Sequence, residues 1–379
     1  LLISKVECAK LRRQKLNINN NLSLDVDDDM YENIFNKNCE NVIGFIKIPV
    51  GIAGIININK KDFIIPMATT EGTLIASTSR GIKLLNECGG ISSLCENIGI
   101  TRAPLLSFES LNDANEVNKW INNNLDILKE SFKKTTNHGV LTSIFVKQIS
   151  RDLYVRFTCD PKDAMGMNMI TKGTMACIQT IKNVFEDKEI KLISLSSNFC
   201  TDKKNSSVNW ILGRGKSITC EAVIHERKLL DIMHVSVDEI INLNTKKNLI
   251  GSAISGSIGG FNAHASNIVA AIFAATGQDL GQIITSSLCI TTMEKDINNN
   301  LIVSITMPSV EVGMVGGGTT LHDQKSCLEI INKKLTVNEF SMLIAGAVMA
   351  GELSLLSSLC DNTLMTAHCK LNRGKNNPK

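Results

Sequence analysis

Between residues 104 and 194 the period of the hydrophobic pattern changes repeatedly. SFESLNDANEVNKWINNNLDILKESFKK carries apolar residues at helical spacing, and VLTSIFVKQI and DLYVRFTC then read as two strands parted by Ser150-Arg151. DAMGMNMITKGTMACIQTIKNVF returns to a helical period and KLISLSS to a strand, so the pattern predicts a small α+β unit over 104–194. The flanking stretches, 40–103 and 195–379, would then form one larger, discontinuous domain. Its most apolar part, 248–290, is interrupted by Asn262, His264, Asn267, Asp279 and Gln282. Those polar positions, with small residues at Gly256 and Gly260, favour a long buried helix at about 256–275 over a membrane span. Residues 1–39 hold KLRRQK, an Asn-rich turn and the acidic DVDDD, which reads as a helical lead-in.

Composition narrows the function classes. A chain of 379 residues with 43% hydrophobic residues can bury a large core, and a net charge of +3 gives no broad field for nucleic acid. Twelve cysteines without a CxxC pair read as reduced thiols of an intracellular protein, and no metal site is expected. The leucine at position 1 suggests a fragment of a longer chain.

Four short runs carry candidate chemistry: Asp202-Lys203-Lys204 in SSNFCTDKK, Glu71 in PMATTEG, Asp279 in TGQD and His368 in TAHCKLNR. A lone Asp-Lys-Lys is usually solvated surface. Together, however, the four runs supply an acid, a lysine, a carboxylate to tune it and a histidine, the set needed to reduce a thioester and expel a thiolate. Hydride chemistry implies a nicotinamide cofactor, yet no Rossmann fingerprint is present. Gly213-Arg214-Gly215-Lys216 lacks the last glycine of GxGxxG and the first glycine of a P-loop. A glycine opening a helix, as in DAMGMNM, offers an alternative phosphate cradle at free amides.

ENVIGF (40–45), PMATTEGTLIASTSRG (66–81), DAMGMNMITKGT (163–174), NWILGRGKSITCEAVI (209–224), NLIGSAISGSIGGFNAHASNIVAAI (248–272), TMPSVEVGMVGGGT (306–319) and GELSL (351–355) resemble, in order and spacing, 3-hydroxy-3-methylglutaryl-CoA (HMG-CoA) reductase. The resemblance runs from about Glu40 to Arg373 and is to the class I, eukaryotic and archaeal type. It implies an α+β fold: a large mixed domain built around a long central helix, with the 104–194 unit as an inserted ferredoxin-like cofactor domain. It further implies NADPH-dependent, two-step reduction of HMG-CoA to mevalonate and CoA. Alternatives are the NAD-linked catabolic oxidation of mevalonate and a catalytically silent CoA-ester-binding relative.

Carried over residue by residue, the resemblance makes Glu71, Lys203, Asp279 and His368 catalytic. It assigns substrate binding to Arg102, Ser196, Asp202, Lys204, Lys247 and Asn267, with Ser77, Ser79 and Arg80 near CoA. Cofactor positions are Asp163, Gly166, Met167, Asn168, Val315, Gly316, Asn372 and Arg373, with Thr136, Asn137 and His138 standing where animal relatives carry Ser-Arg-Phe near the 2′-phosphate. His234 replaces a lysine that contacts CoA phosphate in relatives. The implied assembly is a homodimer or tetramer with shared active sites, Lys203 and the Glu71 segment meeting across the interface. Neither nucleic acid nor membrane contact by this chain is expected. The catalytic domain would be cytoplasmic, and an amino-terminal anchor to the endoplasmic reticulum is a feature of eukaryotic relatives.

Overall fold

The computed structural model describes residues 5–16, 34 and 38–361. Helix α1 (Lys5–Lys15) leads in, and its Arg12 and Arg13 donate to the carbonyls of Val42 and Ile43 at 3.0 and 2.7 Å. A hairpin of β1 (Val50–Ile58) and β2 (Lys61–Ala68) follows. Its turn residues Asn59 and Lys60 both have positive φ, the geometry whose twist matches paired strands. Helix α2 (Leu74–Glu87) comes next, then β3 (Ser92–Arg102).

The second unit begins with β4 (Leu105–Ser107), α3 (Leu111–Asn123) and α4 (Leu125–Lys133). The hairpin β5 (Val140–Ile149) and β6 (Asp152–Asp160), helix α5 (Met167–Val184) and β7 (Lys191–Ser194) complete it. The antiparallel order β7-β4-β6-β5 makes the β-α-β-β-α-β arrangement ferredoxin-like, as expected. The continuous helical pattern after Pro104 breaks into two helices at Asn124, whose side chain donates back to the Trp120 carbonyl at 2.8 Å.

The remaining chain gives α6 (Ser207–Leu212), β8 (Gly215–Ile224), α7 (Glu226–Met233) and α8 (Val237–Leu243), then a π-helix over Asn244–Gly251. It continues through α9 (Ser252–Ile254), β9 (Gly260–Phe261), α10 (Ala265–Thr276), α11 (Ile283–Ser286), β10 (Cys289–Lys295), β11 (Leu301–Val310), α12 (His322–Ile331) and α13 (Val337–Cys360). Strand β3 belongs to both parts of the molecule. Residues 92–99 pair with β8 and residues 100–102 pair with β6, joining all but the first hairpin into one nine-stranded sheet. Two large hydrophobic cores flank this shared strand, one of them confined to residues 100–190.

The expected long central helix at 256–275 is corrected. Positive φ at Gly256 and Gly259 and the short β9 interrupt that stretch, and α10 begins only at Ala265. Small residues there serve turns instead of helix packing. The long central helix is α13, 24 residues with nearly every side chain between Val337 and Ser357 buried. Length and composition alone would let α13 cross a membrane, but here it fills the larger core. A reciprocal capping box starts it: Glu339 N–H donates to Thr336 Oγ1 at 3.2 Å, and Thr336 N–H to Glu339 Oε2 at 3.0 Å. Helix α2 lies so close to α13 that a Cβ at Gly81 would sit 2.0 Å from the Ala350 carbonyl oxygen.

Candidate active site

Where the two cores meet, a cavity of about 830 Å³ is lined by Arg102, Gly166, Met167, Asn168, Asp202, Lys203, Gln278, Asp279, Val315 and Gly316. Five chain segments converge there. The loop after β7 brings Lys203, with φ +55, and its Nζ lies 2.8 Å from Asp279 Oδ2. Oδ1 of the same carboxylate accepts from Gly281 N–H at 2.9 Å, which begins a 3₁₀ turn over Leu280–Gln282. Gly281 also leaves space for the lysine stem, since a Cβ there would come within 2.8 Å of Lys203 Cδ. The ion pair therefore rests on a fixed carboxylate.

The opposite wall is the start of α5. Gly166 has φ +94, and a Cβ there would meet Pro161 Cβ at 2.3 Å, so only glycine fits this entry to the helix. The loop after β11 is fastened against it: Met314 N–H donates to the Asp163 carbonyl at 2.7 Å, and Ala164 bridges Val315. Gln278 holds the same loop by paired hydrogen bonds with Gly313, 3.0 and 2.9 Å. Arg102 is steered by its Nε–H bond to Thr171 Oγ1 of α5, 3.1 Å.

A second group of expected residues lies elsewhere on the chain. Glu71 lies 3.5 Å from Asn267 Nδ2 and does not line the cavity that holds Lys203. Ser77 Oγ donates to Ser354 Oγ of α13 at 2.9 Å, and Arg80 Nη2 donates to the Ser354 carbonyl at 2.7 Å. Burial pushes the Arg80 guanidinium below its usual pKa. Ser79 and Lys204 are exposed, Lys247 is carried by the π-helix, and Ser196 Oγ contacts Cys200 Sγ at 3.1 Å. Thr136, Asn137 and His138 form a turn in which Thr136 Oγ1 accepts from His138 N–H at 3.2 Å, and they too stand apart from the cavity. His368, Asn372 and Arg373 lie outside the described residues.

The supporting residues were not anticipated. Glu352, fully buried on α13, accepts from Ala263 and His264 N–H at 2.8 Å each, from Thr291 Oγ1 at 3.0 Å and from Asn248 Nδ2 at 3.4 Å. One carboxylate thus ties the π-helix beside Lys247 to the loop that enters α10 and presents Asn267. Gln282 Nε2 donates to Asp202 Oδ1 at 2.7 Å. The only hint in the sequence was GELSL for Glu352 and the Gln278/Gln282 spacing about Asp279.

The fold and its converging segments define a two-core α+β protein with a charged cleft between a lysine-bearing loop and a helix start. The sequence pattern of the hydroxymethylglutaryl-coenzyme A reductase family matches residues 7–373, and the chain belongs to that family. It is 49% identical over 350 residues to 3-hydroxy-3-methylglutaryl-coenzyme A reductase 1 of Dictyostelium discoideum, an alignment covering 89% of this chain and 63% of that protein. Against 3-hydroxy-3-methylglutaryl coenzyme A reductase 2-B of Panax ginseng, identity is 43% and coverage 97% of this chain and 64% of the relative. The chain therefore spans somewhat under two thirds of the curated relatives it matches. A solved class II reductase from Streptococcus pneumoniae, bound to NADPH, shares the fold at TM-score 0.69 and 17% identity, covering 92% of each chain.

Proposed function

We propose that the chain reduces HMG-CoA to mevalonate and CoA using two NADPH. The observation that carries this reading is the Lys203–Asp279 pair, 2.8 Å apart on the wall of the cavity that also contains the glycine-opened start of α5. The cavity fits a dinucleotide phosphate. The amides of an 18-residue helix begin at its wall, and at Gly316 and Gly317 an added Cβ would meet nothing within 4 Å. Asp163, Gly166, Met167, Asn168, Val315 and Gly316 would hold the cofactor, with Asn372 and Arg373 assigned to it by family resemblance. When bound, it supplies hydride.

In this reading Lys203 stabilises negative charge as it develops first on the thioester oxygen and then on the aldehyde oxygen. Asp279 keeps the ammonium charged and aimed, because nearby opposite charge favours the protonated amine. Glu71 delivers the proton to oxygen and His368 protonates the departing thiolate. Asp202, Arg102, Lys204, Lys247, Ser196 and Asn267 bind the acyl group, while Ser77, Ser79 and Arg80 face CoA. Since Glu71 lies away from the Lys203 cavity, we assign it to the site of a partner copy, giving two shared sites in a homodimer or larger assembly. The matching division is an amino-terminal lead-in over 1–39, a large domain of 40–103 and 195–379, and a cofactor domain of 104–194. The free thiols at all described cysteines support a cytoplasmic setting. Following NADPH absorbance with and without HMG-CoA tests the proposal: thioester-dependent oxidation is expected, abolished by Lys203→Ala, and its absence would refute the reading.

A further inference from the structure

The run Gly213-Arg214-Gly215, which fits neither phosphate-binding fingerprint, has another use in this fold. Arg214 is fully buried, a rare position for a guanidinium. Its neighbours allow this because both have positive φ and no Cβ. A Cβ at Gly213 would lie 2.6 Å from the Pro308 carbonyl oxygen, and one at Gly215 would lie 2.4 Å from that of Val310. The chain can therefore press against the end of β11, and Arg214 enters between β11 and β3.

Its guanidinium then joins four separate parts of the chain. Nη1 pairs with the buried carboxylate of Glu311 and lies 3.4 Å from Asp202 Oδ1. Nε donates to Thr101 Oγ1 at 2.8 Å, next to Arg102, and Nη2 reaches Met167 Sδ, the first residue of α5, at 3.1 Å. On β6, buried Arg156 has Nε and Nη2 unpartnered, and burial followed by the charge of Arg214 pushes it down to about 10. Two guanidinium charges therefore lie close together beside the acids Glu311 and Asp202. Asp202 Oδ1 thus accepts from Gln282 and faces the Arg214 charge at 3.4 Å, whereas Oδ2 has no partner among the described residues and Asp202 lines the cavity.

We propose that Arg214 is a positioning residue: it sets the Asp202-Lys203 turn against the start of α5, and Glu311 shares its charge so that Asp202 keeps one oxygen for ligand. The second half of this statement rests on the reading that Asp202 faces the thioester substrate. A lysine at 214 would keep the charge but lose the planar fork that reaches several partners at once.

Two measurements separate these claims. Hydrogen exchange on the unliganded protein should show amides at 199–204 and in the first turn of α5 exchanging at least about tenfold faster in Arg214→Lys, with α13 unchanged. Unchanged exchange, or acceleration spread evenly over both cores, would overturn the role. Titration of HMG-CoA into wild type, Arg214→Lys, Asp202→Asn and the double variant should then show each single change weakening binding about tenfold or more, and the double no weaker than Asp202→Asn alone. Losses that multiply would mean that Arg214 does not act through Asp202. Wild-type protein that fails to bind the thioester would refute the functional reading, while exchange still decides the role of Arg214. Glu311→Gln gives a second perturbation if Arg214→Lys does not fold, with the same local pattern expected.

Discussion

Asp279 has two oxygens with separate tasks, so two substitutions at one position can tell structure from catalysis. Oδ1 accepts from Gly281 N–H at 2.9 Å and Oδ2 pairs with Lys203 Nζ at 2.8 Å. Asparagine can keep the first bond but must turn an amide N–H toward the ammonium, while alanine loses both. The paired side chains are 45% and 32% exposed, so solvent screening limits the loss of stability in Asp279→Asn to about 0.2–1 kcal/mol. Asp279→Ala should cost about 1 kcal/mol more for the missing turn bond. In the liganded site, where water is excluded, a misaimed charge-stabilising donor is worth about 10²–10³ in turnover, roughly 2.7–4 kcal/mol. Both variants should therefore lose two to three orders of magnitude in HMG-CoA-dependent NADPH oxidation, whereas urea unfolding should separate them. Asp279→Asn retaining more than about a tenth of wild-type turnover, or unfolding together with the alanine variant, would refute this division of labour.

Other outcomes follow from packing and charge. Gly81→Ala drives a methyl into the Ala350 carbonyl, so it should cost about 1–3 kcal/mol or more in chemical denaturation and weaken CoA-ester binding through α2, which carries Ser77 and Arg80. Glu339 is held below its usual 4.5 by Lys61 first, at 2.7 Å, and then by Thr336. Its folded pKa is depressed, so its contribution is present above the unfolded value and lost as pH falls through the folded one. Glu339→Gln can still complete the capping box but loses the exposed Lys61 pair, so it should be about 0.2–1 kcal/mol less stable than wild type near neutrality, and the gap should close on acidification below about pH 4.5. Mixing Lys203→Ala with Glu71→Gln under subunit exchange should restore activity if the two residues serve one site from different chains; no rescue would count against the shared site.

An α+β unit over 104–194 was legible because helical and alternating periods follow each other there, but β4 is too short to show a period and the ferredoxin-like order came from the family resemblance. The double role of β3 was not, since alternation along Ser92–Arg102 carries no mark of the change of partner after Gly99. Glycine misled the reading at 256–264, where it serves positive-φ turns, and α13 went unread because a helix buried nearly all round shows little polar periodicity. Lys203 and Asp279 could be paired through the resemblance of their motifs to the family, although 76 residues separate them. Arg214, Glu311 and Glu352 could not. A buried charge is recognised by its partners, and Arg214 finds its own 113 residues back at Thr101 and 97 residues on at Glu311.

The central claim, a double reduction at one lysine-centred site, is tested most directly by stoichiometry with HMG-CoA limiting. Two NADPH oxidised, one free thiol released and one mevalonate formed per thioester are expected from wild-type protein, with none from Lys203→Ala. One NADPH per thioester with accumulation of the aldehyde, or no oxidation by the wild type, would contradict the account.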